Sequence, residues 1–188
     1  DDSPATTFDD LDGGESPTGD SRSLMSGPVP ETRRFASQAD EMDAVREWIY
    51  ELCCPAEDAA GDESDGERVD PRNVCVVARN RYCIDQWYKT LDDGLPYGVY
   101  RLGREAENRQ RQGIRVATMH RVKGLEFDYV VVADVNDGVC PPKSALQSAG
   151  ADSAALNEIY KEERSLIYVA MTRAKKGVLL TGVSAQVG

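Results

Sequence analysis

The sequence predicts an α/β domain built on a parallel β-sheet, and two observations carry that expectation. Residues 74–78, Val-Cys-Val-Val-Ala, form a continuous apolar run of strand length, the pattern of a central strand covered on both faces. Similar runs at 114–119, 129–133 and 178–182 alternate with helical or polar stretches, as parallel strands joined by right-handed crossovers do. In such sheets ligands gather beyond the carboxyl ends of the strands, so the polar residues that follow each run are the first candidates for chemistry.

Each element follows from local chemistry. Residues 1–30 are rich in Asp, Gly, Ser and Pro and offer too little apolar surface to offset the entropy of ordering. They read as an acidic lead-in, mobile or loosely docked, ahead of one domain at 31–188. A short strand is expected at 32–36. Ser37 then has the character of a helix N-cap, with Asp40 and Glu41 in the first turn, where the helix dipole favours acids. Met42, Val45, Trp48, Ile49 and Leu52 recur at three- and four-residue spacing and predict a helix to about Cys53, stopped by Pro55. An acidic loop at 57–70 precedes the first buried strand. A helix over 82–91, a strand over 97–102 and a polar loop over 105–112 lead to the strand at 114–119. Beyond 129–133 comes a long loop over 135–151 with Pro141-Pro142, then a helix of about 20 residues opened by Asp152 or Ser153. Its inward positions are Leu156, Ile159, Leu166, Ile167 and Ala170, and the last strand is expected at 178–182.

Composition narrows the class. No apolar stretch approaches the roughly 20 residues needed to span a bilayer, so no membrane segment is expected. The opening Asp1-Asp2-Ser3-Pro4 has neither a basic nor an apolar signal region. It also lacks an initiator Met, which fits a processed chain or, as we expect, a piece of a longer protein. Five cysteines without a C-x-x-C pair and a single histidine, His120, give no support to a metal site, and scattered thiols predict a reduced, cytoplasmic address. The net charge of −11 is uneven: residues 1–70 hold 20 Asp and Glu against 5 Arg, whereas 71–188 hold 13 acids against 17 Lys and Arg. The acidic part reads as a solvated connector, and the mildly basic part is suited to face a phosphate backbone.

Three segments concentrate the polar chemistry. In Val76-Val77-Ala78-Arg79-Asn80, Arg79 leaves the end of a buried strand. Residues 118–127 read Thr-Met-His-Arg-Val-Lys-Gly-Leu-Glu-Phe, and residues 162–174 read Glu-Glu-Arg-Ser-Leu-Ile-Tyr-Val-Ala-Met-Thr-Arg-Ala. Together they resemble motifs IV, V and VI of the UvrD/Rep/PcrA family of superfamily 1 DNA helicases. The second is similar to that family's T-x-H-x-x-K-G-L-E-F and the third to its E-E-R-x-L-x-Y-V-A-x-T-R-A. The likeness is firm over 73–188 and looser over 8–53.

The resemblance implies a RecA-like fold, the second (2A) motor domain of an ATP-dependent DNA helicase or translocase of 3′→5′ polarity. It implies ATP with Mg2+ as cofactor, with the phosphate cradle and metal ligands on an N-terminal motor domain of the same parent chain, and single-stranded DNA as partner. Arg79 and Arg173 would reach the γ-phosphate, whose developing charge suits a planar guanidinium. Spacing alone leaves open that such an arginine caps a helix carboxyl end. Glu126 resembles the ribose acceptor; otherwise it is a solvated glutamate ahead of a strand. Gly124 serves either a close backbone approach or a positive φ. Lys123 either contacts phosphate or pairs with a local acid. Thr118 and His120 resemble residues beside the DNA strand, although a lone histidine is more often structural. Glu163 and Arg164 suggest an ion pair on the helix's polar face, and Tyr168 is expected to pack.

The sequence also departs from the family pattern. No G-x-x-x-x-G-K-[ST] occurs, so the chain by itself is expected neither to bind ATP tightly nor to hydrolyse it. Arg79 and Thr118 are 39 positions apart, too close for the 2B subdomain that Rep, UvrD and PcrA insert there. Cys140 takes the apolar position of a loop that resembles the family's G-x-[FL]-P. A rival reading, prompted by the acidic part, is a non-catalytic helicase-like module that binds a protein such as RNA polymerase or a repair factor.

Overall fold

The expected alternation of strands and helices is present in the structure, a computed structural model that describes residues 29–54, 68–103 and 110–184 in full and 6–8 and 15–17 as backbone. In chain order the elements are β1 (Thr6–Phe8), β2 (Glu15–Pro17), β3 (Glu31–Phe35), α1 (Gln38–Cys53), β4 (Val74–Ala78), α2 (Arg81–Gly94), β5 (Val99–Arg101), β6 (Ile114–Thr118), β7 (Phe127–Val132), α3 (Lys143–Ala149), α4 (Ser153–Met171) and β8 (Ala174–Val183). Strands β3 to β8 form one sheet in the order β3-β8-β7-β4-β6-β5, with every neighbouring pair parallel. β1 and β2 pair antiparallel by themselves; the remainder of the lead-in up to residue 28 lies outside the described residues.

Strand alternation divides the core between two faces. Val74, Val76 and Ala78 of β4 meet Val45 and Ile49 of α1 and Ile84, Trp87 and Leu91 of α2. Cys75 and Val77 point the other way, with Val130 and Val132, toward Leu166, Ile167, Ala170 and Met171 of α4. All five residues of β4 are buried, as the continuous apolar run requires.

The helix ends obey local chemistry. Ser37 caps α1 by accepting from the Asp40 amide at 3.2 Å, Asn80 caps α2 by accepting from Cys83, and Asp152 caps α4. Three expectations need correction. The loop over 135–151 contains the short helix α3. β8 begins at Ala174 rather than 178, because its first turn of strand carries Lys175 and Lys176, which an apolar pattern does not register; they pair with Glu126 at 2.9 Å and Asp128 at 3.2 Å. The strand over 97–102 shortens to β5. The acidic loop at 57–70 falls outside the described residues up to Glu67, as does 104–109 of the polar loop. No helix among the described residues is long and apolar enough to cross a membrane.

Ser37→Ala removes the cap of α1 and is expected to cost about 1 kcal/mol in urea-unfolding stability. A loss below a few tenths would mean that the cap does not hold this helix.

Candidate nucleotide and nucleic-acid site

Because the strands all run one way, the molecule presents a carboxyl edge and an amino edge, and the candidate residues divide between them. Arg79 follows β4 and Thr118 ends β6, so both stand at the carboxyl edge, with His120 exposed just beyond. Glu126 precedes β7 and Arg173 precedes β8, so both stand at the amino edge. The Phe127 amide donates to the Arg173 carbonyl at 2.9 Å, which brings Glu126 and Arg173 side by side. The crossover from 119 to 126 carries Lys123 and Gly124 between the two edges.

Arg79 and Arg173 are thus not brought together. Arg79 Nε donates to Glu163 Oε1 at 2.7 Å, and the ten positions of α4 and its end that separate Glu163 from Arg173 extend about 15 Å. A common contact of both arginines with one phosphate, as the motif resemblance implies, does not follow from this arrangement. Arg173 Nε donates to the Val169 carbonyl at 3.1 Å and its Nη2 to Thr172 Oγ1 at 3.1 Å, the helix-capping geometry that spacing left open.

The remaining candidates resolve further. Gly124 adopts φ +84, and a Cβ built there would meet nothing within 4 Å, so the glycine serves the backbone conformation rather than a close approach within the chain. Lys123 is exposed and makes no ion pair among the described residues. Tyr168, expected to pack, is 67% exposed. Glu163 does not lie on the polar face with Arg164; it is buried and bound to Arg79. Among the described residues no group of three His, Cys, Asp or Glu side chains is placed to hold a metal ion.

Behind the carboxyl edge lies a buried polar seam that sequence reasoning missed. Asp134, two residues beyond the end of β7, is 2% exposed and adopts φ +57, a left-handed conformation that costs a non-glycine residue about 1 kcal/mol or more. Trp87 Nε1 donates to its Oδ2 at 2.8 Å, and its own amide donates to Glu41 Oε1 at 3.0 Å. Thr181 Oγ1 donates to the same Glu41 oxygen at 2.6 Å, while Glu41 Oε2 is buried without a partner. Burial, and then the charge of Asp134, push the Glu41 carboxyl above its usual range, against the lowering pull of the two hydrogen bonds. Cys140 donates its thiol to the Asp134 carbonyl and faces the Glu163 carboxylate; burial first, then that charge, push it up to about 12, which leaves an inert thiol.

The signals were present but read otherwise. Glu41, Val45, Ile49 and Cys53 share one four-residue stripe, and Glu163 falls between Ile159 and Leu166 on the inward face of α4. An acid inside an apolar stripe marks a buried partner. Asp134 satisfies the strand-end criterion directly.

A parallel sheet with helices on both faces and charged side chains at its strand ends defines an open-sheet α/β domain. A crystal structure of the C-terminal domain of a possible DNA helicase from Lactobacillus plantarum WCFS1 matches it with a TM-score of 0.53 at 19% identity, over 84% of this chain and 75% of that one. The UvrD-like helicase C-terminal domain family matches residues 98–184, which include both the second and third motif segments but not Arg79. The Bacillus subtilis protein YjcD, named as an ATP-dependent DNA helicase, is 38% identical over 113 residues, covering 60% of this chain and 13% of that protein. The ATP-dependent DNA helicase Rep of Buchnera aphidicola subsp. Acyrthosiphon pisum is 26% identical over 126 residues, 18% of its length. The matched stretch makes up under half of this chain, and the chain spans less than a fifth of the length of these helicase relatives.

Glu41→Gln keeps the carbonyl acceptor for Thr181 and the Asp134 amide but cannot ionise. With the folded pKa raised above 4.5, the wild-type side chain's contribution is full below that pH and lost as pH rises through the folded value. The wild-type melting temperature is therefore expected to fall relative to that of the Gln variant as pH rises above about 4.5. Parallel curves would contradict the shift.

Proposed function

We propose that this chain is the second motor domain of an ATP-dependent DNA helicase or translocase and completes an ATP site whose phosphate cradle lies on a preceding domain. The observation that supports this best is the bond from the Phe127 amide to the Arg173 carbonyl, which sets the positions of Glu126 and Arg173 next to each other at the amino edge. Glu126 is exposed and forms a surface ion pair with Lys175 at 2.9 Å, and a carboxylate at this position has the acceptor chemistry a ribose hydroxyl needs. Arg173 holds neutral oxygens, and exchanging them for a phosphate makes stronger, charge-assisted bonds. A guanidinium delivered in this way stabilises the charge that spreads over the departing γ-phosphoryl oxygens. Mg2+ would be held by the other domain.

The same division assigns the carboxyl edge to the nucleic acid. Thr118 and His120 would meet a single strand there. Arg79 would join them rather than the nucleotide: Glu163 fixes its Nε, and its terminal nitrogens carry no hydrogen bond among the described residues. Helix α4 runs between the two edges, so closure of the cleft on ATP would shift the strand-facing surface. The 3′→5′ polarity is taken from the family resemblance.

Restoring the upstream domain and assaying DNA-stimulated ATPase tests the assignment. Arg173→Ala is expected to lower turnover by about three powers of ten. A loss within about threefold would remove the arginine from the reaction.

A further inference from the structure

Beside Thr118 a groove of about 430 Å³ opens between α2 and the β5–β6 edge, lined by Arg81, Ile84, Asp85, Arg101 and Arg121. Three guanidinium groups face one carboxylate there, in a chain whose net charge is −11. Arg101 is committed to Asp85 at 2.5 Å and lies over the Tyr88 ring at 4.9 Å. Arg121 Nε donates to the Gly103 carbonyl. Arg81 has no hydrogen-bond or ion-pair partner among the described residues. The groove therefore concentrates positive charge that the described residues only partly satisfy.

Tyr82 adjoins Arg81 in the first turn of α2 and is 71% exposed, the most open aromatic side chain among the described residues. The helical step of roughly 100° per residue sets it about 100° round from Arg81, next to the groove rather than in its lining. Its ring is not loose. Gln86 Nε2 donates to the Tyr82 hydroxyl at 3.0 Å, and Gln38 Nε2 donates to Gln86 Oε1 at 3.0 Å. A restrained aromatic face beside a cationic groove suits a ligand that carries both a flat ring and an anion. Unpaired nucleotides in a single strand supply both; a duplex keeps its base faces stacked against one another, and a free phosphate leaves Tyr82 without purpose.

We propose that Tyr82 and Arg81 form a one-nucleotide subsite in which Tyr82 stacks an unpaired base and Arg81, with Arg121, holds the adjoining phosphate. This rests on the reading that the carboxyl edge meets single-stranded DNA. The three motif segments do not include either Tyr82 or Arg81.

The test compares fluorescence anisotropy of a labelled oligothymidylate of about 16 nucleotides with that of an abasic strand of equal phosphate count. The wild-type chain is expected to prefer the strand with bases. Tyr82→Ala should weaken that strand by about tenfold and leave the abasic one unchanged, while Tyr82→Phe keeps most of the preference. Arg81→Ala should weaken both strands and lower the salt slope by about 1. If Tyr82→Ala affects both strands equally or neither, stacking is overturned while the DNA-facing edge stands. If the wild-type chain binds neither strand, the carboxyl-edge reading falls and the subsite with it.

Discussion

Six strands running in the same direction force every connection to cross the molecule, and that single constraint arranges everything else. It makes both faces of the sheet apolar, because each needs helices laid over it. It gives the domain two chemically distinct edges, and it makes α4 the element that ties them: Glu163 near one edge holds Arg79, and Arg173 beyond its carboxyl end reaches the other. A mixed sheet would have returned both arginines to one side.

The carboxyl edge is stiffened by the seam beneath it. Glu41 from α1, Trp87 from α2, Asp134 after β7 and Thr181 from β8 converge on one set of short hydrogen bonds. The left-handed backbone of Asp134 is costly in isolation, and the two bonds it makes to Trp87 and Glu41 offset that cost. Asn136, two residues on, accepts from the Val183 amide at 2.6 Å, and a side chain in place of Gly182 would collide with the Val135 carbonyl. The loop that carries Cys140 toward Glu163 is thereby anchored at its start. Arg79 itself is held by Glu163 of α4 as well as by its position after β4.

Much of the fold was legible because apolar periodicity reports burial. The apolar runs of β4, β6 and β7 mark their ends to within two residues, and Ser37 and Asp152 mark the starts of α1 and α4. What escaped detection was polar: β8 starts with exposed lysines, and α3 sits in a stretch with no buried residue to announce it. For the site, the motif segments name candidate residues, yet local sequence carries no information about which sheet edge a residue occupies. Arg79 and Arg173 look equivalent in sequence, and strand direction separates them. Glu41, Glu163 and the fully buried Arg115, which donates to the Gly113 carbonyl at 2.6 Å and lies over Tyr100, were obscured because charged residues default to the surface in any pattern reading.

In the proposed function this chain would hold one half of a nucleotide site, with Glu126 as ribose acceptor and Arg173 as trans arginine but without the phosphate cradle. Equilibrium titration of ATP against the chain alone and against the chain with its upstream domain restored tests that most directly. The account predicts no saturable binding by the chain alone up to about 1 mM and clear binding once the domain is restored. Micromolar binding by the chain alone would contradict it.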